Sequence, residues 1–426
     1  MVQIETLPNG VRLVTERIDT VRSAALGIWV AGGSREESDG ESGAAHFIEH
    51  MLFKGTENRT AADIARETDA IGGQLNAFTT KECTCFYGHV LDEHLPRALD
   101  LLWDMVYLSR FDQEAVETER GVILEEIDMY EDTPDDLCSE KLFGAVYEGS
   151  ALARPILGRE ETLETMTGDF LRQFHRQHYR GDNTVVALAG SFSREILEEL
   201  RRRFSGLPSG ASRPGEPAAY RPAVVVTKKP IEQNHLILAF PGLPYDSPRR
   251  FALQLLSSIL GGGVSSRLFQ QVRERQGLCY SIYSYGAGHA DTGVFCIYTA
   301  LNRETEGQAL ATICQVVRAF LEEGPTDEEL ERVREQCKAN VVMGLESTQS
   351  RMSHIGRSLL FTGEILTAQQ IIDAYNAVTR QEVLDLAREI FRWDQASLSA
   401  VGQVRTPEEY QDLLREEADP GKETRS

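Results

Sequence analysis

The sequence lacks the features of membrane, secreted and nucleic-acid-binding proteins. No apolar run approaches the roughly 20 residues that span a bilayer. The N-terminus has neither the basic-then-apolar profile of a signal peptide nor the Arg-rich, acid-poor character of a transit peptide. A net charge of −22 would repel phosphates, which argues against a nucleic-acid partner. We therefore expect a cytoplasmic protein with neither a membrane nor a nucleic acid among its partners.

Cysteine pairs with the C-x-x-C spacing are also absent, which argues against a further class of protein. The chain has seven cysteines, an odd number, and none of them forms a C-x-x-C pair. This pattern argues against a disulfide framework and favours reduced thiols. Cys83 and Cys85 lie on one side of a predicted strand, where we expect a role in the core.

Length and composition indicate a globular protein with more than one domain. The chain has 426 residues, of which 41% are hydrophobic and 26% charged. A stretch rich in Ser, Gly and Pro at residues 209–217 predicts a linker near the midpoint. We predict an N-terminal domain at 1–208, a linker at 209–221, a second domain at 222–415 and a polar tail at 416–426.

Each half of the chain has the same mixture of strands and helices. In the first half, strands near 12–16 and 24–31 precede a helix, and a further strand is predicted at 74–90. The second half repeats this order with a strand at 234–240 and a helix at 247–260. We predict an α+β fold of two structurally similar domains, each an antiparallel sheet packed with helices.

The segment His46-Phe47-Ile48-Glu49-His50 carries the clearest chemical signal. On a helix, His46 and His50 are one turn apart and point the same way, so both imidazoles can bind one Zn²⁺. Glu49 then lies beside the metal, where it can take a proton from a bound water. We predict that this helix is capped by Ser42 and ends at Gly55. A histidine on a helix flank is also explained by an ordinary core position, and a third ligand decides between these interpretations.

A second predicted helix, near residues 112–130, offers that ligand. Glu119 and Glu126 are seven residues apart and share one helical face, whereas Glu125 is turned away by about 100°. A carboxylate from this helix would complete a site of two histidines and one glutamate, with a fourth position open for water. From the residues alone, a solvated acidic face is the better explanation of this pattern, because most acidic helical faces are simply exposed to solvent.

The two halves differ at the metal motif. When the second half is laid over the first, Gln254 and Ser258 stand opposite the two histidines, and Ser257 stands opposite the glutamate. We therefore expect the second half to keep the scaffold without the metal ligands.

Several motifs in the same order resemble the pitrilysin/insulinase family of zinc peptidases. The resemblance is strongest to the branch that contains the mitochondrial processing peptidase and its bacterial relatives, and it covers nearly the whole chain. The motifs that carry it are residues 46–56, 72–79, 119–126, 154–158 and 260–269.

This resemblance assigns roles to the candidate site residues. It implies that His46, His50 and Glu126 bind one zinc ion per chain. It makes Glu49 the general base and Glu119 a supporting carboxylate near the site. The implied activity is that of a zinc metalloendopeptidase, with the inverted His-x-x-Glu-His order, that cleaves short or unfolded peptides inside an enclosed chamber.

The resemblance also implies substrate contacts and a partner. Arg273 and Tyr280 match a family pair that holds the substrate and stabilises the oxyanion, while Asn76, Ala77 and Phe78 match an edge strand that pairs with the peptide. We expect a homodimer in which Arg273 and Tyr280 complete the partner's site. Two alternatives stay open: a non-catalytic core-type subunit of a processing peptidase-like assembly, and a hetero-oligomer with a degenerate sister chain.

Overall fold

The computed structural model describes residues 2–210 and 217–418, which form two compact units. The first unit contains Met1–Asp128, Arg154–Glu216 and Val342–Leu366. The second contains Met129–Ala153, Pro217–Val341 and Thr367–Ser426. The predicted linker at 209–221 and the predicted tail at 416–426 lie partly outside the described residues.

Strands and helices alternate in blocks along both units. The strands are β1 (Val2–Thr6), β2 (Arg12–Arg17), β3 (Ser23–Val30), β4 (Gln74–Thr79), β5 (Thr84–Leu91), β6 (Thr184–Gly190), β7 (Val224–Lys228), β8 (Gln233–Pro241), β9 (Cys279–Gly288), β10 (Gly293–Asn302) and β11 (Ser397–Gly402). The α-helices are α1 (Ala44–Met51), α2 (Ala61–Ala70), α3 (Leu95–Tyr107), α4 (Gln113–Glu131), α5 (Pro134–Val146), α6 (Glu160–Leu163), α7 (Gly168–His178), α8 (Arg194–Phe204), α9 (Arg250–Gly261), α10 (Glu306–Glu323), α11 (Asp327–Gly344), α12 (Thr348–Phe361), α13 (Ala368–Ala377), α14 (Arg380–Ile390) and α15 (Pro407–Ala418).

A six-stranded sheet organises the first unit, in the order β1-β2-β6-β3-β5-β4. Its neighbouring strands are antiparallel except β2 and β6, which are parallel, and β4 lies at one edge. Side chains alternate across β3: Leu26 and Ile28 face the core beneath α1, while Trp29 faces the layer of α12. Because the central strands are buried on both faces, each face requires its own helical cover.

The second unit repeats this plan with five strands, in the order β7-β11-β8-β10-β9. It also contains one parallel pair, β7 and β11. One face packs on α9, α10 and α14, and the other packs on α5. The predicted α+β fold of two similar domains is therefore confirmed, with one parallel pair added to each antiparallel sheet.

The compact units differ from two contiguous halves in two segments. Residues 129–153 come from the first half but belong to the second unit, and residues 342–366 show the reverse assignment. Each segment carries a helix that covers the outer face of a sheet, namely α5 in the second unit and α12 in the first. Met352 and Ile355 of α12, for example, pack against Trp29. Apolar burial explains why these helices join the sheets they cover.

Three local predictions were wrong in detail. The predicted strand at 74–90 is a hairpin of β4 and β5, because the Thr80 hydroxyl accepts hydrogen bonds from the backbone of Glu82 and Cys83 and closes a turn. The helix at 247–260 begins later, at Arg250. Helix α1 begins after Gly43 rather than after a Ser42 cap, and it ends at Met51, before Gly55.

Candidate metal centre

Helix α1 presents its polar side chains from one flank and buries the other. Phe47, Ile48 and Met51 are almost completely buried and anchor the helix to the core of the first unit. His46 and His50 lie on the remaining flank, with ring centroids 4.6 Å apart. The predicted helical placement of the two histidines is therefore confirmed.

Glu126 of α4 meets both histidines. Its Oε2 atom lies 3.6 Å from His46 Nε2 and 3.4 Å from His50 Nε2. Within residues 2–210 and 217–418, this is the only group of three or more metal-ligating side chains whose donor atoms all lie within 4.8 Å of one another. Two ligand atoms on a tetrahedral zinc ion, each at a bond length near 2.1 Å, are separated by about 3.4 Å. The spacing of the three side chains thus fits a tetrahedral ion.

Glu119 contacts the His50 ring at Nδ1, whereas Glu126 lies nearest to Nε2. The Oε1 atom of Glu119 lies 2.9 Å from His50 Nδ1, and its Oε2 atom lies 2.6 Å from Lys54 Nζ. In the neutral ring, a proton held on Nδ1 by this carboxylate would leave the Nε2 lone pair available to a metal ion. The predicted supporting position of Glu119 therefore has a clear geometry. Glu125, which the helical spacing predicts to point away from the face of Glu119 and Glu126, is exposed.

The site shifts the pKa values of its members in different directions. Burial, and then the neighbouring charge of His50, lowers the pKa of His46 to about 4 and keeps its imidazole neutral. Burial opposes protonation of His50, but hydrogen bonds to Glu126 and Glu119 outweigh it and raise the pKa of His50. The hydrogen bond to His50 lowers the pKa of Glu126. The lowered pKa favours the ionised form of Glu126, the third proposed ligand, beside the two imidazole rings.

Glu49 lies beside the ligand cluster with a partner of its own. The Thr79 hydroxyl, at the end of β4, donates to Glu49 Oε2 at 2.6 Å. Burial raises the pKa of Glu49, and this hydrogen bond opposes the shift. Sequence reasoning assigned no role to Thr79, although it is the last residue of the 72–79 motif.

The predicted substrate residues lie on β4, at the edge of the first sheet. Asn76 is exposed, and its side-chain oxygen accepts from the Ala77 backbone N–H. The Phe78 ring packs edge-on against Trp29, with the ring centroids 5.6 Å apart. The edge position suits pairing with an extended peptide, and the substrate contacts themselves remain a prediction.

Arg273 and Tyr280 lie together in the second unit. The Arg273 guanidinium carbon is 5.5 Å from the centroid of the Tyr280 ring and 4.7 Å from that of Phe269. Tyr280 is 70% exposed, the same fraction as Val264 and the highest among the exposed large hydrophobic side chains. The two side chains are therefore neighbours, while their role in holding substrate remains a prediction.

The corresponding helix of the second unit, α9, lacks these ligands. Ser257 is buried, and its hydroxyl donates to the backbone oxygen of Ser284 at 2.9 Å. Ser258 Oγ lies 3.9 Å from the Cys337 thiol of α11. In the described part of the second unit, no three His, Cys, Asp or Glu side chains have the spacing of a metal site.

Sequence comparisons identify the family. The profile described as Insulinase (Peptidase family M16) matches residues 12–160, and the profile described as Peptidase M16 inactive domain matches residues 165–337. A protein of Bacillus subtilis named uncharacterized zinc protease YmxG is 42% identical, across 93% of this chain and 97% of that protein. The chain belongs to the insulinase peptidase family.

A further relative agrees in sequence, and two solved structures agree in fold. An uncharacterized zinc protease of Streptomyces coelicolor is 41% identical, across 94% of this chain and 89% of that protein. The crystal structure of a peptidase M16 inactive domain from Pseudomonas fluorescens superposes with a TM-score of 0.88 at 23% identity, over 95% of this chain and 99% of that one. A protease from Helicobacter pylori gives 0.87 at 20% identity, over 94% and 99%. These structures support the fold. No helix among the described residues combines the length and apolarity needed to cross a membrane.

Proposed function

We propose that this chain is a zinc-dependent endopeptidase in which His46, His50 and Glu126 bind one zinc ion. The supporting observation is the 3.4 and 3.6 Å separation of Glu126 Oε2 from the two imidazole nitrogens, which matches tetrahedral ligation. Bound zinc would lower the pKa of a coordinated water to about 7 and polarise the scissile carbonyl.

Glu49 is the proposed general base. Its carboxylate borders the ligand cluster, and the hydrogen bond from Thr79 fixes one of its oxygens. Because burial raises its pKa, Glu49 is a stronger base than an exposed carboxylate and can hold a proton during the reaction. The same carboxyl then returns this proton to the leaving amine.

The proposed substrate is a short or unfolded peptide. Strand β4 can add such a peptide to the sheet edge through backbone hydrogen bonds, and Asn76, Ala77 and Phe78 are the residues we assign to this contact. Thr79 belongs to the same strand and contacts Glu49, so β4 connects peptide binding with the proposed base.

Arg273 and Tyr280 are the proposed donors to the substrate and to the developing oxyanion. We assign them to the metal site of a second copy of the chain in a homodimer. The exposure of Tyr280 and its contact with Arg273 support a pair that is available to an external ligand.

Metal analysis and peptide cleavage test the central proposal. The purified chain should carry one zinc per protomer and cleave members of a random peptide mixture, with products identified by mass spectrometry. Glu49→Gln should keep the zinc and lose the cleavage. Stoichiometric zinc without cleavage of any peptide would instead favour the non-catalytic subunit.

A mixing experiment tests the shared site. Glu49→Gln and Arg273→Ala homodimers should each be nearly inactive. If Arg273 acts in the partner's site, mixed dimers regain one intact site and activity returns. Absence of recovery, with exchange of protomers verified, would contradict the assignment to the partner. Size measurement of the purified chain alone separates a homodimer from a chain that requires a degenerate sister.

A further inference from the structure

The two histidines of α1 are oriented by different means. His50 is held through its side chain, because Nδ1 contacts Glu119 at 2.9 Å. His46 Nδ1 is buried and has no hydrogen-bond partner among the described residues. The position of the His46 ring therefore depends on the backbone of the first turn of α1.

A buried carboxyl group holds that first turn. Glu37 is 3% exposed, and each of its oxygens accepts a backbone N–H at the start of α1. Oε2 accepts from Gly43 at 2.9 Å, and Oε1 accepts from Ala45 at 2.8 Å. The first backbone N–H groups of a helix have no hydrogen-bond acceptor within the helix, and these two lie just before His46.

A close backbone contact between Gly43 and Gly158 also fixes the first turn of α1. Gly43 has a φ of 96°, and a Cβ atom there would lie 2.8 Å from the Gly158 Cα atom. Only glycine permits this close backbone contact. Since α1 has eight residues, its own helical hydrogen bonds stabilise it only marginally, and its geometry depends on such outside contacts.

We propose that Glu37 is a positioning residue, which places His46 for metal binding by holding the first turn of α1 through both carboxyl oxygens. This inference rests on the proposed function of the metal site. At the start of α9, which lacks the proposed metal ligands, the Ser247 hydroxyl accepts from the Arg249 backbone N–H at 3.3 Å.

The contacts of Glu37 do not depend on its charge. Burial raises the pKa of Glu37 to about 8, while the N–H groups of Ala45 and Gly43 oppose this shift. A protonated carboxyl still has a lone pair on each oxygen, so both hydrogen bonds persist. In Glu37→Gln, by contrast, one oxygen becomes an NH₂ group that cannot accept, and one N–H of the first turn loses its partner.

Glu36 supplies a matched control from the same loop. Burial raises its pKa as well, to about 7, and its Oε2 accepts from the Gly33 backbone at 2.8 Å. This contact needs one oxygen and does not involve α1. The amide of Glu36→Gln can keep it, so the loop changes in charge while the cap of α1 remains.

The test measures Co²⁺ binding to the metal-free full chain by chelator competition and visible absorption. We expect Glu37→Gln to weaken binding by about 10- to 100-fold, the usual loss when a group that orients a ligand is removed. We also expect altered band intensities at saturation, while Glu36→Gln stays within about threefold of the native chain. Native-like affinity in Glu37→Gln, an equal loss in both variants, or weaker binding with an unchanged spectrum would each overturn the inference.

Two further measurements keep the outcomes distinct. If Glu37→Gln shows no cooperative unfolding, Glu37→Asp replaces it, because its shorter side chain cannot reach both N–H groups. Glu37→Asp should also bind Co²⁺ more weakly, and native-like affinity in this variant would overturn the inference. A native chain that binds no Co²⁺ would contradict the proposed metal site itself rather than the role of Glu37.

Discussion

The two units place equivalent helices against equivalent sheets, and among the described residues only the first unit carries the proposed metal ligands. Helix α4 buries Val116, Glu119 and Ile123, and helix α11 buries residues with the same spacing, Leu330, Val333 and Cys337. This register puts Val333 in the place of Glu119. Two turns further along, it puts Asn340 in the place of Glu126.

The difference shows that the fold does not need these polar groups. In the second unit, the same region is filled by Val333 and by the hydrogen bond between Ser257 and Ser284. In the first unit, it holds two histidines, one of them almost fully buried, and the buried carboxylate of Glu119. Buried ionisable groups cost free energy of desolvation. A role in the proposed metal site accounts for their presence in one unit.

Replacement of Glu126 by asparagine, the residue at the equivalent position of the second unit, should cause the largest loss of metal affinity. In Glu126→Asn, a neutral amide stands in place of the third ligand. If four ligands share a binding free energy on the order of 10–16 kcal/mol, one ligand contributes about 3 kcal/mol, and metal affinity should fall at least ~100-fold. Peptide cleavage should fall to the level of the metal-free chain.

Glu125→Asn is the control for this experiment, because its side chain is adjacent in sequence and exposed. Zinc content after dialysis reports the affinity of both variants. Full zinc retention in Glu126→Asn would show that Glu126 is not a ligand.

Glu49→Gln should separate the chemistry from metal binding. Cleavage should fall about 10²- to 10⁴-fold, the usual contribution of a general base, while one zinc per chain is retained. Activity within about tenfold of the native chain would contradict the role of Glu49. In the second unit the counterpart is Ser257, so Glu49→Ser offers a second inactive form.

The same variant makes a prediction about pH and stability. Burial raises the pKa of Glu49, so the folded metal-free chain binds this proton more tightly than the unfolded chain. The resulting stabilisation is present below the unfolded pKa of about 4.5 and is lost as the pH rises through the higher folded value. Glu49→Gln should remove this decline, which denaturant titrations of the metal-free chain at several pH values would detect. An unchanged decline would contradict the burial of Glu49.

Glu119→Val should have a smaller effect, because it removes support for a ligand rather than a ligand. His50 Nδ1 and Lys54 would lose their shared partner, and metal affinity should fall about 10- to 100-fold. Glu119→Gln retains an acceptor for His50 and should lose less. Equal losses in the two variants, measured by chelator competition, would mean that charge rather than the hydrogen bond is important.

The sequence was sufficient for those parts of the site that depend on local periodicity. His46 and His50 share a flank because a helix places residues four apart on one side. The same geometry placed Glu119 and Glu126 on one face of α4, and the family resemblance selected Glu126 as the third ligand. The pairing of Arg273 with Tyr280 came from family resemblance. Each of these assignments used spacing within one segment or within a motif.

Features that depend on distant contacts were not predictable. The turn between β4 and β5 has no Gly or Pro and is closed by the Thr80 hydroxyl. The sequence pattern therefore predicts a single strand where the structure has a hairpin. The start of α1 is capped by Glu37, which lies well before Ser42, the capping residue that the sequence predicted. The assignment of α5 and α12 to their sheets depends on tertiary packing, which no local pattern specifies.

The last prediction restores metal ligands to the second unit. In a Glu126→Asn background, Gln254→His, Ser258→His and Asn340→Glu together recreate the ligand set on α9 and α11. We expect weak Co²⁺ binding, because the position equivalent to Glu119 is occupied by Val333. Valine has no carboxylate to support the second histidine. The two histidine changes without Asn340→Glu form the control.

Val333→Glu in this set should strengthen Co²⁺ binding about 10- to 100-fold, because it supplies the carboxylate that supports the second histidine in the first unit. The Cys337 thiol lies 3.9 Å from Ser258 Oγ, so Cys337→Ser is needed to exclude thiolate ligation. Binding that requires Asn340→Glu and survives Cys337→Ser would support the helix register that relates the two units. If the complete set binds no Co²⁺ while the chain remains folded, the register is wrong or the helices of the second unit lie too far apart for a shared ion.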